Sequence, residues 1–334
     1  MAEVKSGANG TGSGDHAHSQ WAWCGGRTMQ SLTRSRGATL VCLALSLLLQ
    51  PGCQRRQTPV ALEMVRGHIV LATVKVSRTE GLFLLDTGSG GTIVCPELGS
   101  RLGQSSKRGG VSSFGGGDRV REVVRVKSKD ICFAGSRLKY PEEVSVLDLD
   151  FLTNWADRRV AGILGWDVLR EYVWGIDLHN AVLLAGRNLS PKEILGSFGV
   201  LGPADATLPL GVGDRPLVTA HVGSKSLRLE LDTGAERTVL SAGAFRRLGL
   251  ELPPNAALSM TRGVNGDATG HLARLAEFRL GPLVWSGLEV IVSDDTDWGE
   301  DEGLLGMDLL SNYLMVFDGP SRTLYLAKHV VGTQ

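Results

Sequence analysis

The sequence carries no excess charge of either sign: 35 lysines and arginines stand against 35 aspartates and glutamates. That balance excludes a global basic field able to hold nucleic acid. The seven histidines form no HExxH pairing, and neither GxSxG nor GKS/GKT occurs. Zinc-peptidase, serine-hydrolase and nucleotide-binding readings therefore have nothing to rest on. Cysteine is short as well. Of five, Cys24, Cys42 and Cys53 fall in the N-terminal stretch, leaving Cys95 and Cys132, and no CxxC pair or Cys/His cluster offers a metal site. No cofactor or metal is expected. No long helical period runs through the chain, whereas 44 glycines suit a turn-rich β protein better than a helical bundle.

What is present begins with an apolar run of twelve residues, ATLVCLALSLLL at 38–49, preceded by Arg27, Arg34 and Arg36. A basic stretch followed by a short apolar one is the layout of a secretory signal, and twelve residues are too few to span a bilayer. The run leads into Gln50-Pro51-Gly52-Cys53, which resembles the lipobox of bacterial lipoproteins. Gly52 fits that motif, whereas Gln50 and Pro51 depart from it. The resemblance implies lipidation of Cys53, a membrane attachment through the N-terminus, and an exported location in the periplasm or cell envelope. Met29 stands just before the basic stretch, so residues 1–28 read as an extended start. Export permits a Cys95–Cys132 disulfide, and two buried thiols are an equally ordinary outcome.

From residue 57 onward the chain is one unit written twice. DTGSGGTIVCPELGSRLG (Asp86 to Gly103) aligns without gaps on DTGAERTVLSAGAFRRLG (Asp232 to Gly249), with seven identities in eighteen positions. GILGWDVLREYVWGID (Gly162 to Asp177) aligns on GLLGMDLLSNYLMVFD (Gly303 to Asp318), again with seven. The expected organisation is an N-terminal extension over 1–53, a first lobe over 54–190 and a second over 191–334. Leu227, Leu229 and Leu231 alternate with Ser226, Arg228 and Glu230, a period of two that makes a strand with one apolar face and delivers Asp232 at its end. In the first copy, His68 to Val76 reads as a strand, Ser77 to Gly81 as a turn, and Leu82 to Leu85 as a strand ending at Asp86. Short helices are expected at Ala242 to Leu248 and Asp167 to Tyr172. The architecture is all-β.

Each Asp-Thr-Gly follows an apolar strand, is followed by a Thr-aliphatic step (Thr92-Ile93, Thr238-Val239), and is answered later by an aliphatic pair and glycine (Ile163-Leu164-Gly165, Leu304-Leu305-Gly306). These residues resemble aspartic proteases, and DTGAERTVL with GILGWDVL and GLLGMDLL is similar to the retroviral type. The resemblance covers nearly all of 60–330. It implies a bilobal, retropepsin- or pepsin-like fold from two homologous β lobes, a monomer, and an endopeptidase acting on peptide or protein substrates. Asp86 and Asp232 would be the catalytic pair. Thr87, Gly88, Ser89, Thr233, Gly234 and Ala235 would support them, each threonine bonding across the lobe interface. Ser89 would donate its hydroxyl to the aspartate, where Ala235 has no hydroxyl to offer. Trp166 and Met307 stand where the retroviral pattern has arginine, and capping of a short helix is an ordinary role for Asp167 and Asp308.

Two carboxyls held about 3 Å apart cannot both ionise, so they share one proton; one takes a proton from water while the other protonates the substrate carbonyl. A cleft for an extended peptide also needs a cover. Glycine-rich tips at Phe114, Gly115 and Gly116 and at Val264, Asn265 and Gly266 fall at matching intervals after the two aspartates and are flap candidates, although Asn265-Gly266 is also an ordinary hairpin signal. The acidic run from Asp294 to Glu302 lacks the spacing of an EF-hand loop and reads as a solvated loop. The rival reading is a catalytically inactive peptide-binding or sensory lipoprotein of the same fold, against which intact aspartates in both copies weigh.

Overall fold

The structure, a computed structural model, describes residues 58–112, 121–263, 266–293 and 302–329. It is mostly β, with six short helices among the described residues. Both copies of the repeat start from a hairpin. In the first, Ile69–Val76 pairs with Thr79–Leu85 through a turn whose Ser77 has φ 55°. The turn is shorter than the Ser77 to Gly81 expected, because Thr79 already pairs with Val76. In the second, Leu217–Val222 pairs with Lys225–Leu231.

The second strand of each hairpin then gains a parallel neighbour from the later repeat segment. Leu85 lies opposite Leu164 and Leu231 opposite Leu305. A short strand crosses each return strand antiparallel: Ile93 faces Ile163, and Val239 faces Leu304. These strands sit inside their sheets, and their apolar side chains are sealed. Phe83, Leu85, Leu227, Leu229 and Leu231 have no exposed surface. Glu230 departs from the expected polar face, since it too is buried.

The sheets close differently. In the second half Gly266–Leu280 is one fifteen-residue strand that pairs with Leu283–Ser293 and reaches back to Leu217–Val222, closing a barrel. In the first half the corresponding stretch is interrupted. Arg121–Lys127 and Ile131–Phe133 are separate strands, and the Ser128 hydroxyl donates to the Pro141 carbonyl between them.

A third, six-stranded sheet joins the halves in the order Thr58–Val60, Val182–Gly186, Val173–Asp177, Leu314–Asp318, Thr323–Ala327, Ala206–Pro209. Its centre is the pairing of the two repeat tails, with Gly175 opposite Val316 and Trp174 opposite Phe317. The Trp174 and Phe317 rings stack at 4.1 Å between centroids. The helix Pro191–Ser197 covers the other face with Ile194 and Leu195 against Val173, Leu184, Leu314 and Val316. Ser190 and Glu193 start that helix with a reciprocal capping box. The expected helices appear at Ala242–Arg247 and Trp166–Leu169. Cys95 and Cys132 are half-buried free thiols. No helix among the described residues is long and apolar enough to cross a membrane.

Candidate active site

Each aspartate stands where its hairpin strand runs out of ladder partners. The Asp86 N–H donates to Leu164 O at 3.1 Å and the Asp232 N–H to Leu305 O at 3.0 Å. The next residue locks the two loops together. Thr87 Oγ1 donates to Leu231 O at 2.7 Å and accepts from the Thr233 N–H at 3.0 Å. Thr233 Oγ1 returns the pattern, donating to Leu85 O at 2.8 Å and accepting from the Thr87 N–H at 3.1 Å. Both threonines are buried, so four reciprocal bonds fix one aspartate strand against the other in a place where an unmade bond is costly.

The glycines are required by a close approach rather than by a turn. A Cβ on Gly88 would lie 2.4 Å from Asp232 Cγ, and one on Gly234 would lie 2.7 Å from Asp86 Cγ. Each loop backbone is thus pressed against the opposite carboxyl. The bonds follow from that placement. The Ser89 N–H donates to Asp86 Oδ1 at 2.9 Å and the Gly234 N–H to Asp232 Oδ1 at 2.8 Å.

Burial holds the Asp86 carboxyl well above the usual carboxylate range. The facing charge of Asp232, the bond it shares with Asp232 and the charge of Glu230 act in the same direction, while the Ser89 N–H opposes them. Burial raises Asp232 as well, but bonds from the Gly234 N–H, Asp86, and the Ala235 and Gly88 N–H groups favour its ionised form. Both carboxyls are thus held above the usual carboxylate range, with burial the largest cause for each.

The expectation for Ser89 needs correcting. Its hydroxyl donates to Gly91 O at 2.8 Å, so the backbone N–H and not the hydroxyl serves Asp86. The N-cap places of the two short helices are Gly165 and Gly306, and of the expected capping only the Leu309 N–H bond to Asp308 Oδ1 at 3.0 Å is seen; the main partners of Asp167 and Asp308 lie elsewhere. Asp167 accepts from the Thr92 N–H at 2.9 Å and hydroxyl at 2.7 Å, and Asp308 from the Thr238 N–H at 3.0 Å and hydroxyl at 2.8 Å. Each threonine hydroxyl also accepts from Gly165 N–H or Gly306 N–H. These clasps tie the far end of each aspartate loop to the segment that closes it. Gly165 and Gly306 lie tight against the same loops: a Cβ would sit 2.7 Å from Gly91 O or 2.6 Å from Arg237 O. Trp166 and Met307 are buried, with N–H groups bonding Ser89 O and Ala235 O. The sequence reading missed these clasps; the signal that could have found them is that Thr92, Asp167, Thr238 and Asp308 occupy equivalent places in the two copies.

Asp86, Thr87, Gly88, Ser89, Asp232, Thr233, Gly234 and Ala235 come together at one place. The flap candidates are only partly in view. Phe114, Gly115, Gly116, Val264 and Asn265 lie outside the described residues, as does Cys53. Gly266 starts the strand Gly266–Leu280 and pairs with Gly263, so Leu258–Gly263 and Gly266–Leu280 form a hairpin with two residues between them. Among the described residues no group of three or more His, Cys, Asp or Glu side chains is placed to hold a metal ion. The acidic run falls outside them except Glu302, which pairs with Arg247.

Residues 218–309 match the family model described as aspartyl protease. The matched stretch contains Asp232 to Gly234, Thr238 and Gly306 to Asp308, the second half's share of the site. No curated protein matches the chain. Solved structures similar to it include a retropepsin-like aspartic protease from Rickettsia conorii, 20% identical over 36% of this chain and 95% of that one, with a TM-score of 0.30.

Proposed function

We propose that the protein is an aspartic endopeptidase in which Asp86 and Asp232 hydrolyse peptide bonds through one shared proton. The observation that supports the reading is the pair of buried carboxyls, one from each copy of the repeat, each packed against the opposite Asp-Thr-Gly loop and both held above the usual carboxylate range. Asp232, kept ionised by its N–H donors, takes a proton from a water lodged between the carboxyls as the water oxygen attacks the scissile carbonyl carbon. Asp86 gives its proton to the carbonyl oxygen, and a gem-diol forms. Asp232 then passes its proton to the amide nitrogen, the C–N bond breaks, and the new carboxyl returns a proton to Asp86. The interlocked threonines supply the geometry, since proton transfer over hydrogen-bond distances tolerates little displacement.

The substrate would lie extended across the pair, with the hairpin ending at Gly263 and Gly266 and the tip at Phe114 to Gly116 as its covers. Lobes 54–190 and 191–334 in one chain would make the enzyme active as a monomer. Residues up to Cys53 would direct export and, through a lipid on that cysteine, membrane attachment. Cys53→Ser should release the protein from the membrane fraction, and unchanged fractionation would refute that part.

The test of the chemistry is incubation of the purified protein with an unfolded protein substrate. Cleavage should fall by about 10²- to 10⁴-fold in Asp86→Asn and in Asp232→Asn, the range for loss of general acid–base catalysis. Equal cleavage by parent and variants would refute the assignment.

A further inference from the structure

The first half carries a cavity of about 330 Å³ that is lined by no residue of either aspartate loop. It lies between the hairpin of Ile69–Val76 and Thr79–Leu85, the helix Pro96–Leu102 and the strand Val160–Leu164. Leu82, Leu98 and Ala161 give it apolar walls, and Thr79, Cys95 and Arg159 bring polar groups to it. A space of this size is within the range of small-molecule sites. Gly81 also lines it, packed so closely that a Cβ there would lie 2.6 Å from the Ala161 methyl.

The repeat shows what this place holds when the chain fills it. The Cys95 N–H bonds Ala161 O and the Ser241 N–H bonds Glu302 O, both at 2.9 Å, so Glu302 is the second-half counterpart of Ala161. Arg101 and Arg247 are equivalent in the same alignment, each in the last turn of its helix. In the second half the Glu302 carboxylate pairs with Arg247 and accepts from the Arg228 N–H at 2.7 Å. In the first half that carboxylate is replaced by a methyl, while the cation stays. Arg101 turns to Glu97 at 3.2 Å and to Thr79 Oγ1 at 2.9 Å, and Arg159 pairs with the same Glu97. Glu80, the other acidic residue of the lining, stands opposite Lys75 in the strand ladder. Two guanidiniums thus share one carboxylate at the edge of an apolar-walled space.

We infer that this cavity binds a small monocarboxylate with an aliphatic body, whose carboxylate takes the place that the Glu302 side chain fills in the second half. The aliphatic body lies against Leu82, Leu98 and Ala161, and the negative head meets Arg159 and Arg101. Burial of the alkyl carbons supplies the affinity. The arginines, exposed and screened by water, select a negative head without making the binding tight. The site is separate from the hydrolytic reading, since none of its residues takes part in that scheme.

The experiment titrates the full-length protein, ¹³C-labelled at its alanine and leucine methyls, with hexanoate at neutral pH, and follows the methyls by NMR. Hexan-1-ol and hexylamine serve as controls with the same body and a different head. The Ala161 and Leu98 methyls should shift and saturate with a dissociation constant of about 1–10 mM for hexanoate. Hexan-1-ol should bind about threefold more weakly and hexylamine more weakly still, and Arg159→Gln should weaken hexanoate about two- to fivefold while leaving hexan-1-ol unchanged. Ala161→Glu, which restores the carboxylate of the second half, should abolish the hexanoate shift at Leu98. No saturable shift at either methyl, equal binding of hexanoate and hexan-1-ol, or parent-like hexanoate binding by Arg159→Gln would each overturn the inference, as would an undiminished Leu98 shift in folded Ala161→Glu.

Discussion

The two halves of the chain present the same aspartate loop in different surroundings. Around Asp86 the sequence is Leu84, Ser89, Gly90 and Gly91; around Asp232 it is Glu230, Ala235, Glu236 and Arg237. The reciprocal threonine bonds, the glycines against the opposite carboxyls and the Thr92–Asp167 and Thr238–Asp308 clasps are nearly superimposable in length. The donors are not placed alike: Asp86 accepts from the Ser89 N–H, three residues on, and Asp232 from the Gly234 N–H, two residues on. Geometry that the two halves share is kept in both, while the side chains flanking it are free to differ.

The largest effect expected from breaking the shared part is at Gly88. Gly88→Ala drives a methyl to 2.4 Å from Asp232 Cγ, so the loops must separate and activity should fall by at least about 10²-fold, since misplaced proton donors forfeit catalysis. Gly234→Ala should behave alike, and unequal losses would show that the halves are less symmetric in chemistry than in shape. Thr87→Val comes next. It leaves Leu231 O and the Thr233 N–H without their partner, at roughly 1–3 kcal/mol for each orphaned group, read as a lowered midpoint in chemical denaturation.

Asp86→Asn sharpens the comparison through stability. A carboxyl whose folded pKa is raised binds its proton more tightly folded than unfolded, so it favours the folded state at low pH. That contribution is lost as pH rises from the unfolded value of 3.8 through the higher folded one. Asn carries no such penalty. Asp86→Asn should therefore melt above the parent at neutral pH, by roughly 2–4 °C per kcal/mol relieved, with the gap narrowing on acidification; Asp232→Asn should show a smaller gap. The smallest effect is expected at Ser89→Ala. Its hydroxyl bonds Gly91 O, so the pH profile should stay in place, and a shifted acidic limb would return the hydroxyl to the aspartate.

Much of this arrangement was legible in the sequence because a repeat ties residues far apart in the chain to equivalent places. Asp86 and Asp232, the threonines beside them and the closing glycines could all be paired before any coordinates. Three features could not. The six-stranded sheet pairs the two repeat tails with each other, and strand patterning does not reveal partners. Glu230 alternates correctly for a solvated face, yet it is buried and bonded to Arg215. The roles of Asp167 and Asp308 depend on a contact some 70–75 residues away in sequence, whereas helix capping is a local rule and suggested itself first.

The most direct measurement is an atomic-resolution crystal structure at mildly acidic pH, in which the C–O bond lengths of the two carboxyls report where the proton resides. The expected result is a hydrogen-bonded pair with unequal C–O lengths in Asp86 and equal ones in Asp232. Carboxyls more than about 6 Å apart, beyond hydrogen-bond reach, or equal lengths in both residues would contradict a single proton shared between the halves.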